Sequence, residues 1–159
     1  MTDEQQKANR WLSRMDNHDG ELKMLYTRRE EILASMGGVA KYEEKSRGGA
    51  DPNPTEAKNI EYTEINERIE KIEKKISREN ARTIKVIYQV TNSKLRGMLV
   101  GRYINHFSWG KVGKMYYYAK SRTYEYRAAC LDAVCPYIPD EVIPDENKFV
   151  SMKDWKSTD

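Results

Sequence analysis

The sequence predicts an all-α protein in three parts: a long antiparallel coiled-coil helical hairpin over 1–91, a three-helix helix-turn-helix module over 92–135, and an acidic, proline-containing tail over 136–159. Three observations predict it. Apolar residues recur at alternating spacings of three and four through two long stretches, the coiled-coil period. Only 38% of the 159 residues are apolar, which suits helices with a narrow buried stripe better than one large core. A compact basic segment then follows, with the spacing of a long helix, a short helix, a tight turn and an amphipathic helix.

The first stripe is Trp11, Met15, His18, Leu22, Leu25, Arg29, Ile32 and Met36, a heptad seam with polar interruptions at His18 and Arg29. This predicts one helix over 3–36, ending at Gly37-Gly38. Residues 37–54 (GGVAKYEEKSRGGADPNP) carry glycine pairs and prolines and read as a flexible loop. A second helix opens near Pro54, with Asn53 or Thr55 as its cap. Tyr62, Ile65, Ile69, Ile72 and Ile76 form its seam, flanked by a ladder of Glu and Lys. Beyond Ile76 the seam slips to Ile84, Ile87 and Val90, with Asn80 and Thr83 where apolar residues are due, so the packing partner is expected to change there. The same seams permit either a hairpin within one chain or a homodimer.

Asn92 or Ser93 caps the next helix, whose Leu95, Met98, Leu99, Tyr103 and Ile104 carry it to about His106-Phe107. Ser108 caps a short helix with Trp109, Val112 and Met115 on one side, where Gly110 and Gly113 permit close approach of a neighbour. After the run Tyr116-Tyr117-Tyr118, a helix over 119–134 has the inner stripe Thr123, Tyr126, Cys130 and Val134. Tyr103, Trp109, Tyr117 and Tyr126 are expected in the core of so small a module.

The net charge of +3 hides a pattern. Residues 1–92 balance at 17 basic and 17 acidic. Residues 93–127 hold eight cations against Glu125 alone, net +7, and 128–159 come to −4. A helical module at +7 has the footprint of a phosphate-backbone binder. With helix 119–134 in a major groove, Lys120, Ser121, Arg122, Tyr124 and Glu125 are the candidate base-contact residues. Lys94, Arg96, Arg102, Lys111 and Lys114 are the candidate phosphate contacts. Arg127 falls nearer the inner stripe and is expected to hold an ion pair or a backbone group.

Other function classes find little support. No run of roughly 18 apolar residues exists and no secretory leader is recognisable, so a cytoplasmic protein with no membrane partner is expected. Cys130 and Cys135 lack metal-binding or CxxC spacing and read as reduced, half-buried residues. His18 and His106 have no ligand-spaced neighbours, and no glycine-rich phosphate loop follows a strand. An enzyme is therefore not expected, nor a cofactor or metal.

The stretch LRGMLVGRYINHFSWGKVGKMYYYAKSRTYEYRAACLDAV resembles the C-terminal part of small phage and prophage transcriptional regulators of Gram-positive bacteria, the ArpU and RinA-like late-gene activators. The matching residues are Leu95, Leu99, Arg102-Tyr103-Ile104, Ser108-Trp109, Val112, Met115, Tyr118, Thr123-Tyr124 and Leu131. The resemblance implies a module similar to region 4 of sigma-70 factors, after a helical, coiled-coil-like half that agrees only in kind. It implies a sequence-specific double-stranded DNA-binding regulator acting in a bacterial host cell, with RNA polymerase or a second copy as further candidate partners. Two departures stand out. Ala119 replaces the family's usual Ser at the cap of the recognition helix, which shifts the expected start toward Ser121, and Gly113 replaces the commoner Ala. Two other classes compete: a coiled-coil interaction protein or inhibitor docking an acidic host partner, and a small-terminase-like DNA-packaging recognition subunit. In the latter the DNA module is expected before the coil, the reverse of the order here.

Overall fold

The computed structural model describes residues 1–43 and 54–144, with side chains at 1–37 and 55–144. The described residues are helical, without a strand: α1 (Asp3–Leu12), α2 (Asp16–Glu43), α3 (Pro54–Ile87), α4 (Ser93–Leu99), a π-helical turn (Val100–Ile104), α5 (Trp109–Met115), α6 (Lys120–Val134) and a 3-10 turn (Cys135–Tyr137). None of these helices is long and apolar enough to cross a membrane.

The chain divides into two units: Met1–Arg14 together with Thr83 onward, and Met15–Arg82. This differs from the expected boundary at 91/92. The single helix expected over 3–36 is also two, broken at residues 13–15. Thr2 caps α1 through a capping box with Gln5. At its other end the Ser13 hydroxyl donates to the Asn9 carbonyl at 2.6 Å, and the Arg14 guanidinium donates to the Trp11 carbonyl at 2.9 Å while lying 3.7 Å from the Trp11 ring centre. The Trp11 carbonyl, which the Met15 amide would use in a continuing helix, is thus taken by the Arg14 side chain and amide, whereas the Asn9 carbonyl keeps its helical bond from the Ser13 amide. Gly37-Gly38, expected as a stop, lie inside α2. Their cost of about 1 kcal/mol each relative to alanine does not end the helix. The rest of the expected loop, 44–53, and the cap candidate Asn53 lie outside the described residues; Thr55 is the second residue of α3, not its cap.

In the Met15–Arg82 unit, Leu22, Ile69 and Ile72 are buried together, and Leu25, Tyr26, Ile65 and Ile76 pack around them. The two apolar stripes thus face each other within one chain. Arg28 pairs with Glu61 at 2.8 Å, Arg68 with Glu21 at 3.1 Å, and Tyr26 bonds Glu73. From Glu21–Arg68 through Arg28–Glu61 to Ser35–Lys58, the partner numbers fall on α3 as they rise on α2, so the helices run antiparallel. The polar interruption Arg29 is answered by the Asn66 side chain at 3.1 Å and the Tyr26 ring at 5.2 Å. Arg28 holds the Glu61 carboxyl below the usual range, but such exposed pairs add little stability and mainly fix register.

The other unit has one continuous core. Ala8, Trp11 and Leu12 of α1 are buried with Val86, Ile87 and Val90 from the end of α3, and with Met98, Leu99, Tyr103, Val112, Cys130, Leu131 and Val134. The change of packing partner expected after Ile76 therefore occurs at Thr83. Polar clamps hold α1 in place: Gln5 Nε2 donates to Asp132 at 2.9 Å, and the Tyr103 hydroxyl donates to Asn9 at 2.6 Å. The described start of the tail lies on α1 as well. Asp140 pairs with Lys7 at 3.1 Å, the Trp11 indole N–H donates to Glu141 at 3.4 Å, and Ile138 and Ile143 pack on the core. Residues 145–159 lie outside the described residues.

Burial pushes the Cys130 thiol up to about 12, whereas half-buried Cys135 is raised by burial and then by Glu4 and Asp132. Because the thiolate is the nucleophile, Cys135 is expected to alkylate slowly in the native protein at about pH 8, and Cys130 only when this unit opens. Peptide-level mass spectrometry after timed iodoacetamide treatment checks this. Equal labelling of both thiols would contradict the core assigned to Cys130.

Candidate functional site

The geometry of the basic segment starts with its caps. Asn92, rather than Ser93, caps α4, accepting from the Lys94 and Leu95 amides. The π-helical turn then carries Tyr103 into the core, where its ring meets Trp109 edge-on at 6.1 Å. Ser108 caps α5 as expected, accepting from the Lys111 amide at 3.1 Å. At the far end of α5 the Tyr117 amide donates to the Lys114 carbonyl at 3.0 Å and the Tyr118 amide to the Gly113 carbonyl at 2.9 Å. This pair of bonds is a Schellman closure. It places Tyr117 at φ 61°, a position that glycine normally fills. For a residue with a Cβ the left-handed region costs about 1–2 kcal/mol.

α6 begins directly after Ala119, which is extended and supplies no side-chain cap. Ser121 does not take over the capping role. Thr123 fixes the start instead: its amide donates to the Ala119 carbonyl at 2.9 Å and its hydroxyl to the same oxygen at 3.0 Å. The Thr123 side chain lies against the Cα of Gly113, occupying the space a Cβ there would need. The crossing of α5 and α6 is therefore set by a glycine on one helix and a threonine on the other. Tyr116 uses Gly97 in the same way, its hydroxyl lying where a Cβ would stand.

All five base-contact candidates, Lys120, Ser121, Arg122, Tyr124 and Glu125, are exposed on the first turns of α6. Arg122 pairs with Glu125 at 3.4 Å and lies 5.5 Å from the Tyr126 ring centre, so its guanidinium is already oriented. Lys120 lies over Tyr124 at 6.0 Å. Lys114, Lys120, Trp109, Tyr118 and Tyr124 line a cleft of about 240 Å³ between α5 and α6.

The phosphate-contact candidates divide into two groups. Lys94, Lys111 and Lys114 are exposed, with Lys111 4.0 Å from the Phe107 ring centre. Arg96 and Arg102 are half-buried and serve the fold. Arg96 donates to the Val90 and Thr91 carbonyls at 2.9 and 3.1 Å, and Arg102 to the Phe107 carbonyl at 3.3 Å. Arg127, expected on an ion pair or a backbone group, has its guanidinium 3.8 Å from the Met1 sulfur.

The tyrosines hold what sequence reasoning missed. Tyr116, Tyr118 and Tyr126 stack on one another, with ring centres 6.2 and 4.7 Å apart. Lys94 donates to the Tyr118 hydroxyl at 2.8 Å and lies about equally over the Tyr118 and Tyr126 rings, at 5.5 and 5.4 Å. The hydrogen bond from Lys94, and then that with Tyr126, lower the Tyr118 hydroxyl; the same bond raises Lys94. The stack ties α4 to α6 and spends these ring faces inside the protein. Tyr117, expected in the core, points outward at 95% exposure, and Met115, expected on one side of α5 with Trp109 and Val112, is 60% exposed. The one signal for Tyr117 was a turn without glycine between two helices. Among the described residues no three His, Cys, Asp or Glu side chains group as metal ligands. Searches against family models, curated proteins and solved structures gave no match to this chain.

Proposed function

We propose that this chain is a sequence-specific double-stranded DNA-binding transcriptional regulator of the phage or prophage late-gene type. In this reading α5 and α6 form a helix-turn-helix similar to sigma-70 region 4, with α6 in the major groove. α2 and α3 form a coiled-coil hairpin whose outer faces are left for RNA polymerase or another protein. One observation carries the reading. The first turns of α6 expose Lys120, Ser121, Arg122, Tyr124 and Glu125, and Lys114 and Lys94 flank them from two other helices. Groups that pair with guanine, cytosine or a thymine methyl thus stand beside groups that neutralise phosphate.

The test uses the full chain and a duplex recovered by selection from a random pool. Lys114→Ala is expected to weaken binding to all duplexes alike and to reduce the salt slope by about 1. Arg122→Ala is expected to lose about 1–3 kcal/mol of discrimination at one base pair. Sequence preference untouched by Arg122→Ala and by Glu125→Ala would remove α6 from the groove.

A further inference from the structure

Tyr117 combines two costs that the fold does not need. Its backbone is held at φ 61° by the Schellman closure, in a region that penalises every residue with a Cβ and a bulky one most. Its ring is 95% exposed and recovers no burial. Glycine there would relieve the strain and cover the same hydrogen bonds. His106, the other non-glycine residue at positive φ among the described residues, is half-buried, so Tyr117 is the case in which the side chain contributes nothing internal. Strain kept without a packing return points to a contact outside the molecule.

The position indicates which contact. Tyr117 stands two residues before the Ala119 cap, with its amide on the Lys114 carbonyl and Lys120 opening the next helix. A residue outside α6 but beside its first turn meets the wall of a groove that α6 enters, not the base edges on its floor. The ring bears one neutral donor, and the flanking cations favour an anionic partner. We infer that the Tyr117 hydroxyl donates to a phosphate oxygen of duplex DNA, making it a sequence-independent positioning contact held in place by the left-handed turn. This inference rests on the proposed function.

Three proteins separate the possibilities: wild type, Tyr117→Gly and Tyr117→Phe, each titrated with a selected duplex and a scrambled one. Tyr117→Gly is expected to raise the Tm by about 3 °C and to lower affinity for both duplexes roughly tenfold. The slope of log K against log salt should stay as in wild type, because no cation is lost. Tyr117→Phe should lose the same affinity without the gain in Tm. Full affinity in Tyr117→Gly, or a loss confined to the selected duplex, overturns the inference while leaving the function intact. Failure of the wild type to bind either duplex overturns the function itself, and is seen before any variant is compared.

Discussion

Gly113→Ala is expected to destabilise the unit containing α4, α5 and α6 by about 2–3 kcal/mol, although alanine is the better helix former by about 1 kcal/mol. The reason lies across the helix crossing. A Cβ on Gly113 meets the Thr123 hydroxyl, Cγ2 and Cβ, the last two at 2.8 and 2.9 Å, and Thr123 is buried and tied to the Ala119 carbonyl. The obstacle is a short branched side chain close to its own backbone, not the far end of a flexible one. Relief requires α5 and α6 to move apart, which also displaces the basic residues. Thr123→Ala removes two of the three obstructing atoms. The double variant Gly113→Ala/Thr123→Ala should therefore recover most of the loss, a coupling that a urea-denaturation cycle measures directly. Additive effects would show that the two residues do not share the crossing.

Trp11→Ala is expected to cost about 3–5 kcal/mol, and to cost it in the unit that carries the basic face. Trp11 is 1% exposed in the core shared by α1, the end of α3 and α6, and its indole reaches Glu141 in the tail. A residue on a coiled-coil seam would weaken α2 and α3 instead. The two cases are told apart by the Cys130 thiol, which is buried in the same core as Trp11. Alkylation of Cys130 in Trp11→Ala should accelerate strongly under native conditions, whereas a seam residue would leave its protection unchanged.

Much of the helical layout was legible, and the exceptions share a cause. The stripes Leu22–Leu25 and Ile65–Ile76 announce themselves because a period of 3.5 leaves few alternatives. The polar slip at Asn80 and Thr83 marks the change of packing partner for the same reason. Trp11 misled because it fits the heptad in spacing; its tertiary neighbours and the Arg14 bond to the Trp11 carbonyl end α1 after Leu12. Ser121 was a better cap by residue type than Ala119, yet the Thr123–Gly113 contact fixes the helix start. Charge counting found the basic segment but could not see that Arg96 and Arg102 are held by backbone carbonyls. Tyr117 was assigned to the core by type, and its backbone turned it outward.

The most direct measurement is a salt titration of duplex DNA binding by the full chain. Lys94, Lys111, Lys114, Lys120 and Arg122 are the exposed cations around α5 and α6. At about 0.9 counterions released per phosphate neutralised, they give an expected slope of log K against log salt of about −4.5. A selected duplex should bind at least a hundredfold more tightly than a scrambled one under the same salt. The absence of detectable duplex binding at about 50 mM salt, or equal binding of the two sequences, would contradict a sequence-specific DNA-binding function.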